Sequence, residues 1–151
     1  MIIQVDTREK QNKEVIRAFN NLRIKWFASK LYAGDYYDFQ EPRFVIDLKK
    51  DLLEVANNLT SDHTRFKNEV DRALNEMGCP MVILIREPLE SIEQVKGWNS
   101  ERTKVTGETL YKIMKTMSER YGIKWLFCDR EIAGYVIISL LRKRFEDIEQ
   151  I

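Results

Sequence analysis

The chain is poor in the residues that interrupt regular structure: six Gly and three Pro among 151 residues, about half the usual share. That scarcity excludes collagen-like and linker-rich organisation and predicts long regular elements. Cysteine is nearly absent too. Cys79 and Cys128 form neither a zinc pattern nor a disulfide framework, and each lies beside an apolar segment, as a buried reduced thiol does. Long apolar runs are missing. Met81–Ile85 and Tyr135–Ile138 are far too short to span a bilayer, and the first residues lack the basic start and apolar stretch of a leader. A membrane partner is therefore not expected, and the default location is the cytoplasm. An excess of one charge is lacking as well. Lys and Arg number 25 against 24 Asp and Glu, so any contact with nucleic acid must rest on local arrangement rather than bulk basicity.

What is present is a folded chain of single-domain length, with 44% hydrophobic and 32% charged residues and no internal repeat or linker. Ile2–Val5 reads as a buried strand, and Asn12–Leu22 as a helix with Val15, Phe19 and Leu22 on one face. Arg23–Ser29 reads as a strand. Gly34-Asp35 is a turn opening a hairpin over Tyr36–Lys49, interrupted by Pro42. Leu52–Leu59 is a short helix, and Ser61 is an N-cap candidate for a second, with Phe66, Val70, Ala73 and Met77 as its stripe. Met81–Ile85 suits a central strand covered on both faces. Gly97–Lys104 reads as an exposed loop and Glu108–Tyr121 as an amphipathic helix closed by Gly122. Trp125–Cys128 is a further strand, and Asp129 a cap for a last helix running to about Asp147. Interleaved strands and helices with an early hairpin predict an α/β fold, a mixed central sheet flanked by helices.

The chemically informative stretch is Phe44–Lys49. Phe44, Ile46 and Leu48 alternate with Val45, Asp47 and Lys49, so Asp47 and Lys49 share one face while Leu48 anchors the other. Asp35 precedes them at a turn. Two carboxylates brought together repel unless a cation lies between them. Hard oxygen ligands suit Mg²⁺ or Mn²⁺, which bind carboxylates and substrate phosphates together. A lysine beside the metal would orient or help deprotonate an attacking water and offset charge on the phosphate.

Three segments in order, Val5-Asp6-Thr7-Arg8-Glu9-Lys10, Ala33-Gly34-Asp35-Tyr36 and Val45-Ile46-Asp47-Leu48-Lys49-Lys50, resemble the opening motifs of XPF-type structure-specific endonucleases, of the PD-(D/E)XK nuclease superfamily. The likeness continues through Leu53–Leu59, Arg65–Glu69, Arg120–Ile123 and Asp129–Glu131, nearly the whole chain. It implies a restriction-endonuclease-like fold and a metal-dependent DNA endonuclease acting on branched, flap or fork DNA in recombination or repair. Asp35 would be the metal-binding acid of the Gly-Asp turn, and Asp47 and Lys49 the acid and lysine of the Glu-Arg-Lys signature. Asp6 would be an additional ligand at the same end of the sheet, with Arg8 and Glu9 shaping the site. Relatives of this type pair the nuclease domain with a helix-hairpin-helix module. No hairpin glycines follow the last helix here, so residues 1–151 read as one stand-alone nuclease domain of phage or prophage type. The resemblance also implies a homodimer, to which Met114, Met117, Tyr135, Ile138 and Leu141 would lend apolar surface.

The match has departures: Asp47 stands for glutamate, Leu48 for arginine, and the following acid is out of register, with Asp51 and Glu54 nearest. They leave open a catalytically inactive DNA-binding or scaffold partner. A Holliday-junction resolvase or a duplex-cutting nuclease are rival specificities. His63, the only histidine, reads as surface. Glu69 reads equally as a site acid or a solvated helix acid. The aromatics Tyr32, Tyr36, Tyr37 and Phe39 could stack on bases, although alternate members should be core. Arg142-Lys143-Arg144 could touch phosphates or simply favour a helix end. Arg8, Arg65, Arg102 and Lys104 are the candidate DNA contacts, the last two in a loop with Trp98.

Overall fold

Strand β4 (Val45–Lys49) sets out the architecture, because its two faces enter two different cores. Val45 packs into one with Ile83, Ile85 and Trp125. Phe44, Ile46 and Leu48 enter the other with Ile3, Val5, Val82 and Leu84. This is the alternation expected of a strand covered on both sides. The structure is a computed structural model and describes residues 1–9 and 12–150; Lys10 of the first motif lies outside them.

Around β4 runs a six-stranded mixed sheet in the order β2-β1-β3-β4-β5-β6. Its other strands are β1 (Ile2–Val5), β2 (Lys25–Ala28), β3 (Tyr36–Asp38), β5 (Met81–Ile85) and β6 (Lys124–Phe127). Strands β4, β5 and β6 are parallel, β3 is antiparallel to both β1 and β4, and β2 is parallel to β1. Helices α2 (Leu52–Leu59), α3 (His63–Glu76) and α4 (Gly107–Tyr121) cover one face. Helices α1 (Lys13–Asn21) and α5 (Ala133–Leu141) cover the other. The sheet flanked by helices is the α/β fold expected from the order of elements.

Several local expectations are revised. Ser61 does not cap α3: Asp62 holds that position, and the Ser61 hydroxyl donates instead to the Asn57 carbonyl, closing the end of α2. The last helix is shorter than its pattern. Asp129 opens only a 3₁₀ turn (Arg130–Ile132) and makes no side-chain cap bond. Helix α5 begins at Ala133 and ends at Leu141, and a second 3₁₀ turn (Phe145–Asp147) returns Ile148 to the core. The loop after Gly97 is anchored, since half-buried Trp98 and Val105 pack against the α2–α4 core. The surplus apolar surface attributed to the last two helices is used within the chain: Met114, Met117, Ile138 and Leu141 are buried, and of that group only Tyr135 is exposed.

Candidate active site

The site arises from strand register. Tyr36 pairs with Ile46 across β3 and β4, and Val5 with Tyr36 across β1 and β3. Moving one residue along each ladder places Asp6, Asp35 and Asp47 in one row at one end of the sheet. Neighbours in such a row point to the same face, here the face covered by α2 and α3. The backbone holds the row together, Asp6 N–H donating to the Asp35 carbonyl and Asp35 N–H to that of Ile46, both at 2.8 Å.

The three acids are not equivalent. Asp6 is buried and its carboxylate is engaged at both oxygens: Oδ1 accepts from the Leu31 N–H and Oδ2 from Arg8 Nε, each at 2.9 Å. Arg8 also donates to the Leu31 carbonyl at 2.9 Å. The two thus form a strut that pins the segment leading to Gly34, and each Asp6 oxygen keeps a further lone pair. Asp35 Oδ2 accepts from the Leu48 N–H at 2.8 Å. Asp47 lies within hydrogen-bonding reach of Asp35, and its Oδ2 is 2.8 Å from Lys49 Nζ. Lys49 is thus the charge partner of that oxygen.

Electrostatics follow from this crowding. Burial, and then the charge of Asp47, hold the Asp35 carboxyl well above the usual carboxylate range. Burial alone would lower the Lys49 ammonium, but Asp47 outweighs it, with help from Glu54 at 3.8 Å, and the net shift is upward. Glu69 of α3 is pushed up by burial and by Asp47. Its Oε1 accepts from the Gly34 N–H at 3.0 Å, which ties the turn that carries Asp35 to α3. Glu9 adds negative charge near Asp35.

This chemistry fits a divalent cation. Two buried carboxylates face each other with one ammonium, Lys49, beside them, so the pair is one proton or one cation short. No group of three His, Cys, Asp or Glu side chains among the described residues is arranged to hold a metal alone. An ion here would therefore complete its shell from water and substrate phosphate, as Mg²⁺ commonly does.

Beside Lys49, a cleft of about 260 Å³ opens between α2 and α3. Glu54, Asn58, Asp62, Arg65 and Glu69 line it, so Arg65 is brought to the site. Arg102 and Lys104 are exposed in the loop before α4. Because β5 and β6 are parallel, α4 must run back between them, which sets its N-terminal end at the edge of the sheet that carries Lys49. Other expected residues stand apart. His63 is exposed at the start of α3. Asp51 caps α2 by accepting from the Glu54 N–H at 2.9 Å, leaving Glu54 as the acid that faces Lys49. Tyr36 is core, whereas Tyr32 and Phe39 are exposed. Arg142 and Lys143 lie near Arg43, before the start of β4 and so at the opposite end of the sheet. The roles of Asp6 as a strut and Glu69 as a clamp were not readable from spacing, although Glu69 had been weighed as a site acid.

The ERCC4 domain family model matches residues 5–147. No curated protein sequence matches the chain. Among solved structures, XPF from Aeropyrum pernix is similar, with a TM-score of 0.69 and 21% identity over 93% of this chain and 64% of that one. XPF from Aeropyrum pernix in complex with DNA gives a TM-score of 0.68 and 22% identity over 93% of this chain and 63% of that one. The chain thus spans less than two thirds of the length of these structures.

Proposed function

Because the chain belongs to the ERCC4 domain family, we propose that it is a metal-dependent DNA endonuclease that hydrolyses phosphodiester bonds in flap, fork or otherwise branched DNA during recombination or repair. The observation that carries this reading is the register placing Asp35 opposite Asp47, with Lys49 Nζ 2.8 Å from the latter. The similar structure solved in complex with DNA supports DNA as the partner.

Asp35, with one oxygen free of Leu48, and Asp47 would hold Mg²⁺ or Mn²⁺. When bound, the ion neutralises charge on the phosphate and makes its water more acidic. Lys49 stays an ammonium, held so by Asp47, and therefore acts as a donor that orients the attacking water and steadies a phosphate oxygen. Leu48, buried in the opposite core, fixes the strand beneath them. Arg65, Arg102 and Lys104 are the proposed phosphate contacts. Arg8 is the weakest candidate, since its guanidinium is committed to Asp6 and Leu31. A homodimer stays in the proposal on family likeness alone. Sedimentation giving twice the 18.0 kDa chain mass supports it, and a species of one chain mass removes it.

The test is a panel of end-labelled flap, fork, four-way and linear duplex DNA incubated in Mg²⁺ and in Mn²⁺. Cutting beside the branch of flap or fork, at least about tenfold faster than linear duplex, is the expected result, about 1.4 kcal/mol of discrimination in the barrier. Binding without cutting would identify an inactive scaffold. Selective cutting of the four-way substrate would identify a resolvase, and equal cutting of all four would remove structure specificity.

A further inference from the structure

The segment joining β2 to β3 has no regular structure, yet its backbone is held almost atom by atom. Gln4 Nε2 donates to the carbonyls of Ser29 and Lys30 at 3.4 and 3.3 Å. Asp6 accepts from the Leu31 N–H, and Arg8 donates to the Leu31 carbonyl. Arg72 Nε, on α3, donates to the Tyr32 carbonyl at 3.0 Å. Glu69, three residues earlier on the same helix, accepts from the Gly34 N–H. Five side chains, from β1, the residues just after it and α3, thus fix the backbone at Ser29, Lys30, Leu31, Tyr32 and Gly34. Out of this rigid frame Tyr32 presents a ring that is 62% exposed, the largest exposure of any large hydrophobic side chain described. Next to it lies a cleft of about 250 Å³ lined by Lys30, Tyr37, Pro42, Glu76 and Met77.

Position gives this ring a use. Asp35 is three positions after Tyr32, a Cα span of at most about 10 Å. At about 3.4 Å of rise per nucleotide along one strand, that is up to about three nucleotides from the phosphate at the carboxylates. Helix α3 runs beside this path, with Arg65 at the catalytic cleft and Arg72 beneath Tyr32. An aromatic whose backbone is already immobile loses little freedom when something stacks on it. Stacking is also the contact that a paired base, hidden in a duplex, cannot offer.

We propose that Tyr32 is a stacking platform for an unpaired nucleobase within about three nucleotides of the cut phosphate, with Lys30 beside it for the adjoining backbone, so that the ring selects substrates having a single-stranded arm at the site. This rests on the DNA-cleaving reading above and names the substrate feature it recognises. Tyr32 is a specificity-determining residue here and touches no reacting atom.

Tyr32→Ala and Tyr32→Phe test it on a fork and a linear duplex at one fixed salt concentration, by fluorescence anisotropy and by cleavage at saturating enzyme. A 2-aminopurine base placed at successive positions of the single-stranded arm reports stacking by its quenching. Tyr32→Ala should raise the Kd for the fork about tenfold, as loss of one base–aromatic stack does, and abolish the quenching. The Kd for the duplex and the saturated cleavage rate should stay within about twofold, and Tyr32→Phe should restore fork binding, because the ring rather than the hydroxyl stacks. The melting temperature should not move, since the struts contact only the backbone of Tyr32. Equal weakening of fork and duplex, unchanged fork binding, or failure of Phe to rescue would each overturn the proposal. If wild type cuts the fork while Tyr32→Ala binds it normally, this inference alone fails. If wild type neither binds nor cuts branched DNA, the functional reading fails and takes this one with it.

Discussion

A carboxylate directly across a sheet from another is destabilising, and Asp35 opposite Asp47 is such a pair. Burial and Asp47 raise the Asp35 carboxyl in the folded state, so the native protein binds its proton more tightly than the unfolded chain. That contribution is fully present below the ordinary carboxylate pKa and is lost as pH rises through the raised folded value. At pH 8 without metal the site therefore opposes folding. Asp35→Asn, which keeps an oxygen to accept from Leu48, should raise the metal-free Tm by about 2–4 °C, an effect on the order of 1 kcal/mol for a chain of this size. Thermal scans should show the gain shrinking towards acid pH, and a destabilised variant at pH 8 would contradict this assignment. Asp35, Asp47 and Lys49 were legible in the sequence because they lie on one short hairpin, where spacing fixes face. The commitment of Asp6 was not legible, because its partner Leu31 is 25 residues away. Nor was that of Glu69, whose partner Gly34 is 35 residues away.

At the scale of elements, the turn before β3 and the packing of α1 on α5 depend on missing side chains. Gly34 has φ +74°, and a Cβ there would lie 2.4 Å from Val45 Cγ2. Gly34→Ala combines left-handed strain with overpacking and should cost about 2–4 kcal/mol, read by urea unfolding, with cleavage falling further than stability because Asp35 is displaced. Gly134 allows α5 to rest on α1; a Cβ would meet Ala18 Cβ at 2.5 Å and the Val15 backbone at 2.9 Å. Gly134→Ala should therefore cost about 1–3 kcal/mol in the same assay while leaving cleavage per folded molecule unchanged, since these helices lie on the face away from the carboxylates. The strands and helices with strong periodicity stood where the sequence put them, Leu52–Leu59 and Met81–Ile85 to the residue. The final helix did not, because Asp129 looked like a cap and the apolar pattern continued past Leu141. The chain breaks there into 3₁₀ turns, and Lys124 Nζ donates to the carbonyls of Phe145 and Ile148, a long-range tie that local patterning cannot announce.

For the whole molecule, near-neutral charge now has a spatial meaning: acids occupy the row at the end of the sheet, and exposed Arg65, Arg102 and Lys104 stand at that end. If those three meet phosphates, log K for DNA should fall against log salt with a slope near −3, about one unit per contact. A flat dependence would remove them. The sheet edges are handled differently. The amide side chain of Gln150 donates to the Trp125 carbonyl at 2.6 Å and accepts from its N–H at 3.1 Å, occupying part of the β6 edge as a neighbouring strand would. The central claim concerns Asp35, Asp47 and Lys49, and single-turnover cleavage of a labelled fork tests it most directly, comparing wild type, Asp47→Asn and Lys49→Ala with Mg²⁺ and with excess EDTA. The account predicts cutting only by wild type with metal, and a fall of at least about 10²-fold in each variant despite native melting profiles, as removal of a transition-state donor or ligand gives. Undiminished cutting by both variants, or by wild type in EDTA, would contradict it.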